Sequence, residues 1–428
     1  MTTQIELSSG SAALATGMLL LAPLALAGVA LINTGLGRSR SAAQAMLGSL
    51  AIVSAAILAF ALVGAMFAAP AMEAGHSFHF FGKDWNWAGK GPWLFSGFPA
   101  LPLRTQLGIL FEFLAVALAA LIPWGSGADR LRIAAGTSIA ALLAAFPFPI
   151  LAYWIWGGGW LGTLGSQFGL GVGFIDPGGA GSIHVLGGFA ALAVIWITGS
   201  RRGKFPREGL STAMPGHNAI YVLFGCVIAL IGWMGFNLAG ALLWLDANPE
   251  RLAVVVINTL MAAAAAFAAS FAVTRLRFGK PDASLCANGW LSGLVASSAC
   301  AAAVTPLQSL FAGLVAGIAT PLLVEVLELA LSIDDPSGAL TAHLASGLWG
   351  LLVAGVFSHH QGQLIAQLVG IATILGLVFP AVYLLLALLN RTVPFRVEPD
   401  GERIGMDLHE LGGAAYPEFV VHRDDSYR

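Results

Sequence analysis

Two histidines stand at the same distance from an Asp-Pro pair in two separate stretches of the chain. Asp176-Pro177 leads to His184, and Asp335-Pro336 leads to His343. The two stretches also match at Gly179 and Gly338, Ala180 and Ala339, Gly188 and Gly347, and Leu192 and Leu351. Each His lies one to two turns inside an apolar run, where an ionisable side chain must face protein or water rather than lipid and marks a substrate or proton path. A single such His reads as readily as an interhelical hydrogen-bonder, but a pair placed by a repeat points to shared work. Two imidazoles within reach of one another can donate and accept along a narrow route, carrying a proton or a small hydrogen-bonding solute. Each Asp reads as a structural cap: it satisfies exposed helix N–H groups at the positive end of the dipole, and the following Pro is pre-organised for the first helical position. Around the histidines the chain is apolar and short of acid, so a hydrated cation cannot cross whole without replacement ligands. A small weak base that sheds its proton at the mouth fits.

The elements that must position these residues are membrane helices. Of 428 residues 57% are hydrophobic and 10% charged, against roughly 25% charged in a soluble domain. The net charge of −2 gives none of the basic footprint a nucleic-acid partner needs. Fifty-three glycines and a mean hydropathy of +0.82 suit helices whose backbones approach closely in lipid. About twenty apolar residues cross a hydrocarbon core, and eleven runs qualify, near 11–33, 42–68, 106–123, 131–155, 183–199, 218–243, 252–274, 286–304, 308–331, 341–357 and 364–390. The loops carrying Arg38, Arg40, Arg130, Arg132, Arg201, Arg202, Lys204, Arg207, Arg275, Arg277, Lys280, Arg391 and Arg396 alternate with loops holding only Lys83, Lys90, Arg104 and Arg251. By the positive-inside rule the N-terminus is outside and the C-terminal tail cytoplasmic.

The repeat opens the fifth run and the tenth. Five is odd, so the second copy starts on the opposite side of the membrane. Such an inverted repeat places a substrate path at the pseudo-two-fold axis near the bilayer midplane. The predicted fold class is therefore an all-α polytopic membrane protein: eleven transmembrane helices in an inverted five-plus-five repeat plus one C-terminal helix, N-out and C-in. Residues 1–392 form the transmembrane domain and 393–428, polar and charged, a cytoplasmic tail. The N-terminus lacks the basic region of a secretory signal, so the first run is read as a retained span. Cys226, Cys286 and Cys300 lie in apolar stretches without metal-ligand spacing and read as small core residues. The aromatic loop 69–105 reads either as a cover over the outer mouth or as a set of interfacial anchors.

Trp156-Gly-Gly-Gly, Asp176 through His184, His217-Asn218, Gly232-Trp-Met-Gly-Phe236-Asn237, Gly279-Lys-Pro281, Asn288-Gly289, Asp334-Asp-Pro336, His343 and the tail from Gly405 to Phe419 keep their order and spacing over most of the chain. In these motifs the sequence resembles the ammonium transporter branch of the ammonium transporter/Rhesus family. The resemblance implies a homotrimer with one pore per protomer in the bacterial inner (cytoplasmic) membrane, carrying ammonium or ammonia for nitrogen uptake with no cofactor, no metal and no covalent chemistry. It gives His184 and His343 the place of the twin pore histidines, Asp176 that of the acid shaping the outer ammonium site, and Trp156 that of the aromatic offering a cation–π face there. Phe236 takes the place of the lower gate phenylalanine. The tail resembles a segment that docks a trimeric PII signalling protein, with Leu411 and Gly413 where polar residues are usual.

Two further departures concern the outer end. Counting back from Ala128-Asp129-Arg130, the upper gate phenylalanine aligns with Ala115, and the small hydroxyl residue of the outer site aligns with Gly240. Glu112 stands where Gln is common. It reads either as a carboxylate hydrogen-bonded to a neighbouring helix or as an added charge that recruits ammonium with Trp156. The leading reading is a transporter that deprotonates ammonium at its outer mouth and conducts ammonia past the histidine pair. An ammonium sensor of the same fold, signalling through its tail, is the alternative from a different class. A Rhesus-like channel for neutral gas agrees less well with the tail and Trp156.

Overall fold

The computed structural model describes residues 7–68, 75–91, 93–208 and 211–417. Among the described residues ten helices are long and apolar enough to cross a membrane: α1 (Ser9–Leu36), α2 (Ser39–Ala68), α3 (Leu103–Ser126), α4 (Ile133–Ile155), α5 (Ala180–Thr198), α6 (Ala219–Trp244), α7 (Pro249–Phe278), α9 (Pro306–Ala330), α10 (Leu340–Phe357) and α11 (Gln363–Thr392). Between α7 and α9 runs α8 (Ala283–Cys300), the helix of the eighth apolar run. It is less apolar, holding Asn288 and four serines, because it presents almost no surface to lipid: every residue from Ala296 to Cys300 is buried. Several helix starts carry side-chain caps. Asn218 accepts from Tyr221 N–H at the head of α6, Asp282 from Leu285 N–H at the head of α8, and Thr305 and Gln308 form a capping box on α9.

The two repeat units meet through their own turns. Residues 180–185 and 340–345, which hold the histidines, are wound as π-helical first turns of α5 and α10. A Cβ on Gly188 would lie 2.7 Å from Leu344 Cβ, and one on Gly347 would lie 2.9 Å from a Val185 methyl. Gly188 corresponds to Gly347 and Val185 to Leu344, so the contact is reciprocal, as a two-fold axis between the units requires. Glycine at both positions lets the helices close on one another and brings the residue preceding each of Val185 and Leu344, a histidine, to the axis.

The aromatic loop contains strands that the apolar-run reading did not anticipate. β1 (His76–Phe80) pairs antiparallel with β2 (Lys83–Ala88) through a turn at Phe81-Gly82, both at positive φ. The hairpin lies against the end of α4: Trp154 Nε1 donates to Trp87 O at 2.7 Å, and Trp85 packs on Trp160 with ring centroids 5.4 Å apart. Phe78, Phe80, Phe81 and Trp87 of the hairpin stay exposed. Residues 69–74 and 92 of the loop lie outside the described residues.

At the opposite end the tail is fastened to the bundle. Asp407 accepts from Ala43 N–H at 3.2 Å and Gln44 N–H at 2.7 Å, at the start of the α-helical part of α2. Glu410 accepts from Ile133 N–H at 3.1 Å, at the head of α4. Both carboxylates cap helix N-termini from a distant part of the chain, the arrangement that the dipole and the unsatisfied first N–H groups favour. Glu402 accepts from Arg202 N–H and Arg396, and Tyr416 Oη is 3.0 Å from His217 Nε2. Cys226, Cys286 and Cys300 are free and buried.

Candidate pore and outer cation site

One face of α6 sets the axial order of the site. Trp233, Phe236, Gly240 and Trp244 follow one another at three- and four-residue steps, so they share a face and span ~16 Å along the axis. Opposite, α3 presents Gly108, Phe111, Glu112 and Ala115 at the same kind of spacing. The two faces meet in a stack of rings. Phe111 stands edge-on to Trp156 at 5.2 Å, to Phe236 at 5.3 Å and to Trp244 at 5.8 Å between centroids. Trp156 and Trp244 lie parallel, 6° apart in plane and 5.5 Å between centroids. The ring against Phe236 is thus that of Phe111, one turn before Ala115, which is buried on the same face without a ring of its own.

Asp176 is held as a cap. Its Oδ2 accepts from Gly181 N–H at 3.1 Å and from Ser182 N–H and Oγ–H at 2.8 Å, and its main-chain carbonyl accepts from Trp156 Nε1 at 2.8 Å. Its Oδ1 is buried and, among the described residues, has no hydrogen-bond partner. Gly240 explains its own departure from the family pattern: a Cβ there would come within 1.9 Å of Pro177 O. The Asp-Pro turn lies directly on the α6 backbone and leaves no room for a side chain. Glu112 is 1% exposed and its Oε2 has no hydrogen-bond partner among the described residues.

Beyond Phe236 the rings of Trp233, His184 and His343 continue the path. The His184 ring lies parallel to Trp233, 5.1 Å between centroids, and stacks on His343 at the same separation. The two Nδ1 atoms are 3.1 Å apart. One ring must donate its Nδ1–H and the other accept on a bare Nδ1, so the pair holds one shared proton and cannot be doubly protonated while the bond lasts. Neither Nε2 has a protein hydrogen-bond partner among the described residues, which leaves both for a solute. Trp233 Nε1 donates to Ser298 Oγ at 3.2 Å and fixes the indole on which His184 rests.

The second Asp-Pro turn opens on the Arg-rich end. Asp335 accepts from Leu340 N–H at 2.8 Å and from Ser126 Oγ–H at 3.1 Å. Asp334 is bonded by Arg201 through Nη2 at 2.8 Å and Nε at 3.0 Å, and its carbonyl accepts from Arg130 Nη2 at 3.0 Å. Burial alone would raise the Asp334 carboxyl, but the Arg201 hydrogen bonds and the charges of Arg201 and Arg130 overcome it and hold it below the usual carboxylate range. Burial brings the Arg130 guanidinium down to about 10 against the pull of Asp334. Arg201, Asp334 and Asp335 border a cavity of about 300 Å³ that is also lined by Lys204, Asp282, Asn288 and Thr341. This end of the bundle therefore holds a polar, charged cavity.

An aromatic stack and a hydrogen-bonded imidazole pair buried in a bundle of apolar helices fit a membrane transporter for a small solute. The family follows from comparison: the model of the Ammonium Transporter Family matches residues 13–416, and the chain belongs to that family. It is 34% identical to the ammonium transporter Amt2 of Archaeoglobus fulgidus over 92% of this chain and 85% of that one. An ammonium transporter of Bacillus subtilis is 29% identical over 78% and 81% of the two chains. Among solved structures, one described as a sensor Amt protein superposes with a TM-score of 0.83 at 26% identity, covering 94% of this chain and 98% of the other. Candida albicans Mep2 shares the fold with a TM-score of 0.76 at 23% identity, covering 97% and 92%.

Of the residues expected to act, Trp156 and Phe236 share the ring stack around Phe111, Asp176 is bonded to Trp156 through its carbonyl, His184 and His343 are bonded to each other, Glu112 follows Phe111 on α3, and Gly240 backs the Asp-Pro turn. Phe111, Trp233 and Trp244, to which the sequence assigns no role, pack against these residues. The signal for them was available in the three- and four-residue spacing from Trp233 to Trp244 on α6 and from Gly108 to Ala115 on α3.

Proposed function

We propose that this ammonium transporter binds ammonium at the ring-stacked end, beside Glu112, Trp156 and Asp176, and passes ammonia between Phe111 and Phe236 to the His184–His343 pair. The observation that carries this reading is the 3.1 Å bond between the two Nδ1 atoms inside an apolar, ring-lined path. Such a lining cannot replace the hydration shell of an ion, whereas neutral ammonia needs only a donor or acceptor such as each free Nε2. Carboxylate and indole at the entrance compensate the charge until the proton is shed. The proton either returns to the outer solution or follows through the imidazole pair. The gathering of Arg130, Arg132, Arg201, Arg202, Lys204 and Arg396 at the other end supports an N-out, C-in orientation.

By kinship the assembly is a homotrimer in the cytoplasmic (inner) membrane, with a PII-type protein as the partner of the tail. That partner has to engage a segment whose Asp407 and Glu410 already cap α2 and α4. Glu418 and Phe419 of the tail motif lie outside the described residues.

The likeness to a sensor Amt protein and the closed Phe111–Phe236 contact favour a second reading, an ammonium sensor with little flux. Purified protein in liposomes separates the two. An inward ammonium gradient should alkalinise the lumen at a rate that His184→Ala or His343→Ala changes. Ammonium binding without flux in the unaltered protein would decide for the sensor.

A further inference from the structure

We propose that the Trp244 indole is a displaceable plug on the outer cation site, occupying the face of Trp156 that an ammonium ion would use. The proposal rests on the outer-site reading above and concerns what controls entry to it. A cation held by an indole sits over the ring within about 6 Å of its centroid. On Trp156 that position is filled by another ring: Trp244 lies parallel to it at 5.5 Å. The other ring contacts of Trp156, with Phe111 and Phe148, are steeply inclined, at 84° and 64°, and Trp156 itself is 7% exposed.

Trp244 is built to move as a side chain and not as a helix end. The backbone around it is pinned from α3, since Arg104 Nε donates to Leu243 O at 3.0 Å and Arg104 Nη1 pairs with Asp246 Oδ1 at 2.6 Å. The indole has no such tether. Its Nε1 is buried without a hydrogen-bond partner among the described residues, so rotation breaks no hydrogen bond. It is half-buried and forms the outermost ring of the stack. Its six-membered ring fills the notch of Gly108, where a Cβ would come within 2.7 Å of it. Glu112, one turn further along α3, keeps an unpartnered oxygen on a side chain that is 1% exposed. An entering cation exchanges the Trp244 ring for itself on Trp156 and gains the Glu112 carboxylate.

Binding must then overcome the stacking that Trp244 gives up. An aromatic pair of this kind corresponds to ~2- to 10-fold in an equilibrium constant. Trp244→Ala should therefore tighten the apparent affinity for ammonium chloride by ~2- to 10-fold. It should improve methylammonium chloride at least as much, because a larger ion needs the ring further displaced. Trp244→Phe, which keeps a ring on Gly108, should fall between. Affinity is read in detergent from the rise of the melting temperature with ammonium or methylammonium chloride against sodium chloride, so the answer does not depend on flux. Absence of flux in the unaltered protein would count against the transport reading and leave this test standing. Equal affinities in all three proteins, or weaker ammonium binding by folded Trp244→Ala, would overturn the plug. If Trp244→Ala fails to fold, Trp244→Phe alone decides by the same comparison.

Discussion

Restoring the family's small hydroxyl residue at position 240 should damage the outer site and not improve it. A Cβ on Gly240 would stand 1.9 Å from Pro177 O and 2.6 Å from its carbonyl carbon, where ordinary contact begins at 3.4 Å. Both opposing atoms are backbone, so no side chain can swing away, and the Asp-Pro turn itself must retreat from α6. That turn carries Asp176, whose Oδ2 gathers Gly181 and Ser182 and whose carbonyl fixes Trp156. Overpacking of this kind costs ~1–3 kcal/mol. If the whole cost falls on the binding conformation, ammonium affinity drops by roughly 5- to 150-fold. Gly240→Ser and Gly240→Ala should show the same loss, since the Cβ and not the hydroxyl is at fault. The assay is half-saturation of ammonium uptake in proteoliposomes, with melting temperature as the control for folding. A Gly240→Ser protein as stable as the original and tighter for ammonium would refute the reasoning.

Glu112→Gln should raise the half-saturating ammonium concentration and leave the melting temperature near its original value, because no protein hydrogen bond to Glu112 Oε2 is lost; unchanged concentration dependence would contradict the recruiting role. Asp407→Ala should free the tail at a cost of ~0.5–2 kcal/mol, the worth of a helix cap, and limited proteolysis should then cut between 395 and 417 at lower protease concentration than in the original protein. Asp334 is held below the usual carboxylate range, so its contribution to stability is present above the unfolded value of about 4 and is lost as pH falls through the lower folded value. Melting temperatures measured from pH 7 downward should fall in that window, and Asp334→Asn, already deprived of the Arg201 ion pair, should lose less over the same range.

The histidine pair was legible because the repeat can be read residue by residue: the Asp-Pro-to-His interval and the match of Gly188 with Gly347 put both rings near one axis. Trp156 and Phe236 were legible through family motifs. Phe111 was not, because the family pattern aligns the upper gate with Ala115, while the ring facing Phe236 comes from one turn earlier on the same helix. Trp244 was hidden for a different reason. At the end of an apolar run it reads as an interfacial aromatic, and only the packing of α6 against the Gly108 notch turns it onto Trp156. Gly240 shows the limit of alignment most plainly: its meaning lies in a backbone carbonyl some sixty positions away that no local pattern reports. The hairpin at 76–88 escaped because a search for apolar runs assigns everything between spans to loop. The helix α8 was found by its apolar run although its serines and Asn288 dilute it, since a helix wrapped by others needs no lipid-facing surface.

The central claim is that ammonium delivers ammonia through the imidazole pair. Its most direct test is simultaneous recording of luminal pH and membrane current in proteoliposomes exposed to an ammonium gradient, for the unaltered protein and for His184→Ala and His343→Ala. The account predicts luminal alkalinisation in the unaltered protein and a changed rate, or a changed ratio of current to alkalinisation, in both variants. Identical traces for all three proteins would contradict it.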